Sequence, residues 1–136
     1  MYPKEIEKFL LGVQKPGRYT GGELNSIVKD KSKIDIRYAF CFPDTYEIGM
    51  SHLGMKILYS LVNARDDAWC ERVFAPDVDM EKVMRDNGIP LYALESGEAI
   101  KNFDLIGFTM QYELSYTNVL NMLDLAGLPV RSRDRK

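Results

Sequence analysis

The order of apolar segments predicts an α/β protein: a doubly wound parallel sheet with helices on both faces, preceded by an N-terminal arm. Three observations carry that expectation. Short runs of β-branched and aromatic residues alternate with stretches that repeat apolar residues at helical spacing. The clearest run, residues 104–110, is almost continuously apolar, as suits a strand covered on both faces by helices. The first thirty-two residues depart from the alternation and contain a Pro- and Gly-rich stretch.

Residues 3–11 read as a short helix, with Pro3 in its first turn and Ile6, Phe9 and Leu10 on one face. Residues 15–25 hold one Pro and three Gly among eleven positions, which is punctuation and not a regular element. Tyr19, Leu24 and Ile27 give this arm something to pack with. Residues 34–42 predict a strand, stopped by Pro43-Asp44. Residues 52–64 place Leu53, Ile57, Leu58, Leu61 and Val62 at helical spacing, with Ser51 as the expected N-cap.

Residues 69–74 predict a second strand. Residues 79–87 predict a helix with Met80, Val83 and Met84 inward and Gly88 at its stop. Residues 89–94 read as a third extended segment, and residues 98–102 as one helical turn at most. After the run at 104–110, residues 115–126 predict a helix closed by Gly127 and Pro129, and Val130 is the expected start of another strand. The arm thus spans residues 1–32 and the α/β domain residues 33–136. The ending at 131–136 reads as a truncation within a longer protein.

Composition narrows the function. At 46% hydrophobic and 28% charged, the chain is too apolar for disorder, and no run approaches the length of a membrane span. Charges at Lys4, Glu5, Glu7 and Lys8 argue against a secretory signal. Eighteen Lys and Arg against twenty Asp and Glu give −2, without the basic excess of a nucleic-acid binder. Two cysteines, Cys41 and Cys70, one histidine and no CxxC predict a reduced, cytoplasmic protein with no metal or iron–sulfur site built from these residues. Both cysteines read as small buried hydrophobes, and Met80, Met84, Met110 and Met122 as core.

An open parallel sheet binds ligands outside the carboxyl ends of its strands. Two loops belong there. Residues 43–54 offer Asp44, Thr45, Tyr46, Glu47, Ser51 and His52, with Gly49 and Gly54 for close backbone approach. Residues 109–117 offer Thr109, Gln111, Tyr112, Glu113, Ser115, Tyr116 and Thr117. The glycines match neither GxGxxG nor GxxxxGK[ST], which removes support for dinucleotide and nucleoside-triphosphate binding. Glu47 and Glu113 have the chemistry of an acid–base pair, although solvated loop carboxylates are the commoner case.

These motifs carry a resemblance. The arm Lys15-Pro16-x-Arg18-Tyr19-x-Gly21-Gly22-Glu23-x-Asn25, the loop from Phe42 to Gly54 (FPDTYEIGMSHLG), the segment from Glu71 to Pro76 (ERVFAP), and Gln111-Tyr112-Glu113-Leu114 with Tyr116-Thr117-Asn118-Val119-Leu120 closely resemble the N-terminal part of a bacterial radical SAM family of the Fe-S oxidoreductase type. The resemblance spans essentially the whole chain. It implies a flavodoxin-like, Rossmann-type three-layer parallel sheet of the cobalamin-binding-like kind, non-catalytic in itself, that binds cobalamin or positions substrate next to the radical SAM domain of the same chain. It also implies a [4Fe-4S] cluster and S-adenosylmethionine in the parent enzyme and not in these residues, which lack CxxxCxxC. Asp44, Thr45, Tyr46, Glu47, His52, Gly54, Thr109, Gln111, Tyr112 and Glu113 are the residues expected to touch a cofactor. The DxHxxG motif of His-ligated cobalamin domains is not met: residue 50 is Met, and Gly54 follows His52 by two positions. The alternative is a cofactor-free interaction module of the same enzyme or of a macromolecular complex.

Overall fold

The computed structural model describes residues 2–135. Three parallel strands, β1 (Ile36–Phe42), β2 (Ala68–Phe74) and β3 (Leu105–Phe108), form one sheet in the order β2-β1-β3. The helices are α1 (Tyr46–Ser51), α2 (Leu53–Asn63), α3 (Val78–Asn87) and α4 (Ser115–Leu125). The α/β layered fold read from the sequence is the fold observed.

Register assigns the faces. Ile36 pairs with Ala68 and Tyr38 with both Cys70 and Leu105. Side chains alternate along a strand. Tyr38, Phe40 and Phe42 therefore share a face with Cys70, Arg72 and Phe74, and with Leu105 and Gly107. Arg37, Ala39 and Cys41 share the other with Trp69, Glu71 and Val73. Helix α2 lies on the first face: its Tyr59 ring sits 5.1 Å from the Arg72 guanidinium, and its Asn63 amide exchanges hydrogen bonds with the Cys70 backbone at 2.9 and 3.0 Å. The right-handed crossover from β2 to β3 puts α3 on the second face, and α4 packs beside it. They run side by side there, joined by Arg85 to Asp124 at 2.7 Å and Asn121 to Glu81 at 2.9 Å.

The core is filled by Ile6, Met55, Trp69, Met80, Met84, Ile100 and Met122, each almost wholly buried and each worth roughly 1.5–3 kcal/mol of burial. Cys41 and Cys70 are buried free thiols. Burial pushes the Cys70 thiol up to about 12 and Cys41 higher still, so both are inert small hydrophobes, as expected. Helix α3 ends where the sequence places its stop: Gly88 takes φ 65°, a left-handed conformation that glycine adopts without a Cβ penalty.

Several expectations are corrected. The N-terminal helix is a 3-10 helix, Lys4–Gly12. The loop at 43–54 contains α1, and the N-cap of α2 is His52, not Ser51. Ser51 instead donates its hydroxyl to the Glu47 carbonyl at 2.7 Å. Residues 89–94 form no strand and contribute only the antiparallel bridge Tyr92–Ala99, because the Glu95 carboxylate draws this segment toward the β2 backbone. Val130 begins no strand and leads to a short 3-10 turn, Ser132–Asp134. The run at 104–110 shrinks to four strand residues along an edge, not a doubly covered centre. Leu105 is 55% exposed and Met110 is 53% exposed, so Met110 is not core.

Candidate functional site

The chain leaves β1 toward β2 on one side and reaches β3 on the other. The crevice beyond the carboxyl ends of β1 and β3 is therefore the topological switch point, where open α/β sheets hold ligands. A cavity of about 300 Å³ opens there between the end of β1, α1 and the loop after β3. Four of the residues read as ligand contacts line it: Asp44, His52, Gln111 and Tyr112.

His52 is fixed by local structure. Its Nδ1 accepts the Met55 amide at 3.2 Å and so caps α2. That leaves the proton on Nε2, which lies 3.2 Å from Gln111 Oε1 and donates to it. The ring also packs against Phe42, centroids 5.5 Å apart. Gly54 lies under the imidazole, where a Cβ would come 2.9 Å from His52 Cε1. Asp44 ties the crevice floor together: its side chain accepts the Thr45 amide at 2.7 Å, and its carbonyl accepts the Ala75 amide at 3.0 Å. Asn118 of α4 donates to the Pro43 carbonyl at 2.8 Å and fixes the opposite wall. Thr109, at the end of β3, keeps a buried hydroxyl with no hydrogen-bond partner among the described residues.

Tyr46 and Glu47 belong elsewhere. The Tyr46 hydroxyl donates to Glu23 at 2.8 Å, and its ring stands edge-on to Phe74 at 5.3 Å. Burial, reinforced by the Glu23 carboxylate, pushes this phenol up to about 12. Glu47 receives Lys15 at 3.0 Å and Arg18 at 2.8 Å. Lys15 first and Arg18 second hold its carboxyl down to about 2. Glu47 is thus committed to the arm, while Glu113 is exposed, and no acid–base pair is assembled from them. Thr45 occupies the N-cap position of α1 without a side-chain cap.

The arm closes the other half of the carboxyl edge, over β1 and β2. Arg18 reaches Asp77 at 2.6 Å, beyond the end of β2. The Tyr92 hydroxyl donates to the Tyr19 carbonyl at 2.9 Å. Arg72 of β2, almost fully buried, donates from Nε to Glu95 at 2.6 Å and from Nη2 to Glu23 at 2.9 Å. Burial drives the Glu95 carboxyl up despite Arg72. Burial also acts to raise Glu23, but its own backbone amide, Tyr46 and Arg72 together hold it below its ordinary value. None of Arg72, Glu95 and Glu23 was a sequence-read site residue. The available signal was Glu71-Arg72, two charges between aromatics inside a seven-residue strand.

Among the described residues, no three His, Cys, Asp or Glu side chains gather into a metal site, and no helix is long and apolar enough to cross a membrane. Neither a curated protein nor a solved structure matches the chain. Residues 54–136, more than half of the chain, match the family model of radical SAM proteins, N-terminal. That family implies a [4Fe-4S] cluster and S-adenosylmethionine in the radical SAM domain with which such an N-terminal part associates. With its parallel sheet and its switch-point crevice, the chain belongs to the N-terminal part of radical SAM proteins.

Proposed function

We propose that this chain is the non-catalytic N-terminal domain of a radical SAM enzyme, divided into an arm at 1–32 and an α/β domain at 33–136, and that its β1–β3 crevice positions a small polar group of the substrate beside the cluster domain. The carrying observation is the polar set at the switch point: His52 and Gln111 in contact, with Asp44 and Tyr112 lining the same crevice.

The residues present do not fit a corrinoid held through His52. Its Nδ1 is spent on the α2 cap and its Nε2 faces an amide oxygen, so no lone pair is directed at a metal. The crevice, at about 300 Å³, is at the small end of ligand sites, which suits a substrate fragment better than a macrocycle.

The test is a titration of the isotope-labelled chain, followed by two-dimensional amide NMR, with a library of small polar fragments and separately with hydroxocobalamin. Saturable shifts confined to residues 42–44, 48–52 and 109–115 with fragments, and none with hydroxocobalamin, support the reading. Fragment shifts confined to other regions overturn it, and tight hydroxocobalamin binding replaces it with a cobalamin-carrying role.

A second reading, the interaction module, has its own observation. Leu53, Ile57 and Leu61 are 69%, 49% and 62% exposed along one stripe of α2, on the sheet face where Leu105 is also bare. Such a patch is the chemistry of a docking surface, here for the radical SAM domain of the same chain, and both roles can reside in one domain.

A further inference from the structure

A second cavity, of about 480 Å³, lies between the arm and α2. It shares no lining residue with the β1–β3 crevice; α1 separates the two, presenting Gly49 and Met50 to one and Ile48 and Ser51 to the other. The walls are largely apolar: Leu24, Met50, Met55 and the Tyr59 ring. Arg72 forms the floor, with Lys56 among the remaining lining.

Arg72 is not satisfied evenly. Its Nε and backbone N–H are taken by Glu95 at 2.6 and 2.7 Å, and Nη2 by Glu23 at 2.9 Å. Among the described residues, the hydrogen-bond partner of Nη1 is the Met50 thioether sulfur, at 3.2 Å. Thioether sulfur is a weak acceptor, and a buried guanidinium N–H normally finds an oxygen. The side chain is only 7% exposed, so bulk water is not the general answer. An oxygen acceptor entering the cavity completes the set.

Charge decides which acceptor. Arg72 already faces two carboxylates, Glu23 and Glu95, while Lys56 is exposed at the rim. A carboxylate ligand would bring a third carboxyl group against this one buried cation in a partly dehydrated cluster, whereas a neutral carbonyl supplies the oxygen and adds no charge. We propose that this cavity binds a neutral small molecule with a carbonyl on an apolar or aromatic body, the carbonyl accepting from Arg72 Nη1 and the body lying between Met50, Met55 and Tyr59. The volume lies within the ordinary range of small-molecule sites, about 300–1,000 Å³.

The probes are benzamide and benzoate, which share a ring and differ in the charge on the carbonyl group. The chain is labelled with ¹³C at the methionine methyls and titrated with each. Saturable shifts of the Met50 and Met55 methyls with benzamide are expected, with benzoate weaker by about ten-fold. The proposal is overturned if neither methyl moves up to the solubility limit of benzamide, if benzoate binds as tightly or more tightly, or if shifts appear only around His52 and Gln111. Arg72→Lys is the obvious variant but endangers the buried Glu95, so the measurement rests on the native chain. A negative result here leaves the crevice reading untouched, because that reading is scored on a different set of resonances.

Discussion

The two halves of the sheet's carboxyl edge are built on opposite plans. Over β1 and β2 the arm is fastened by Arg18, Glu23 and Lys15 to Asp77, Arg72 and Glu47, and the polar groups are spent on one another. Over β1 and β3 the edge is spanned by the hydrogen bonds of His52 with Gln111 and of Asn118 with the Pro43 carbonyl, and His52, Gln111 and Tyr112 line an open crevice. Buried charge persists only where it is matched, so the closed half reads as architecture. Its remaining freedom is the cavity beside Arg72. The open half keeps polar atoms that solvent or a ligand can reach, which is what a binding site requires. Helix α1 makes both possible. Its Gly49 lets Phe74 approach so closely that a Cβ would stand 2.2 Å from the ring, and its two sides face the two cavities.

The strongest way to break the closed half is Arg72→Met. Glu95 is 3% exposed and would lose its cation while still buried, a change that costs about 3–5 kcal/mol. Urea denaturation is expected to show a loss of that order, and Arg72→Met combined with Glu95→Leu should recover most of it. A loss of less than about 1 kcal/mol would mean that the carboxylate is protonated or hydrated, and that the closed half is looser than its geometry.

Acid should open the same half without any mutation. Glu47 falls from an ordinary 4.5 to about 2 on folding, through Lys15 and then Arg18, and Asp77 is lowered by Arg18. A carboxylate depressed on folding contributes stability that is complete above its ordinary value and is lost as pH falls through the folded value. The arm should therefore loosen between about pH 4.5 and about 2. Trp69 reports it, because its indole N–H donates to the Ile27 carbonyl of the arm at 2.9 Å. The expected signal is a change in Trp69 emission across that window, ahead of global unfolding by circular dichroism. Emission that stays constant until the helices melt would show that the arm and sheet separate only together.

The sequence was most legible where one physical signal governs. Apolar periodicity located β1, β2, α2, α3 and α4 to within a few residues, and the glycine stop of α3 is where it was expected. It failed where long-range partners decide. Residues 89–94 have the composition of a strand, yet the Leu94 amide and the Glu95 carboxylate are taken up by the Arg72 backbone. Residues 104–110 look doubly covered because apolar content cannot separate an interior strand from an edge strand. Of the site, Asp44, His52, Gln111 and Tyr112 converge as loop placement at the carboxyl edge suggested. Tyr46 and Glu47 turn away because the arm, 23 to 32 residues earlier in the chain and beyond the reach of any local signal, supplies their partners.

Weaker in effect, and confined to the open half, is His52→Ala. The imidazole caps α2 through Met55 N–H, and losing a cap costs about 1 kcal/mol. His52→Asn should restore the cap and the stability while removing the Nε2 donor to Gln111. Urea midpoints of the two variants, read beside their fragment titrations, separate the two uses of this residue. Alanine is expected to lower both stability and fragment binding, and asparagine only binding. Equal binding by wild type and asparagine would mean that the Nε2 donor plays no part in the crevice.

The smallest effect on the isolated chain should come from Leu61→Lys, and this is where the comparison is sharpest. Leu61 is 62% exposed, so the substitution removes little buried area and should move the urea midpoint by no more than about 0.5 kcal/mol. If the stripe of Leu53, Ile57 and Leu61 is a docking surface, the same change carries a charge into an apolar contact within the longer radical SAM protein. The expected result is a chain indistinguishable from wild type alone, but a full-length protein whose two parts separate on limited proteolysis. Full-length protein that resists proteolysis as wild type does would assign the stripe to solvent.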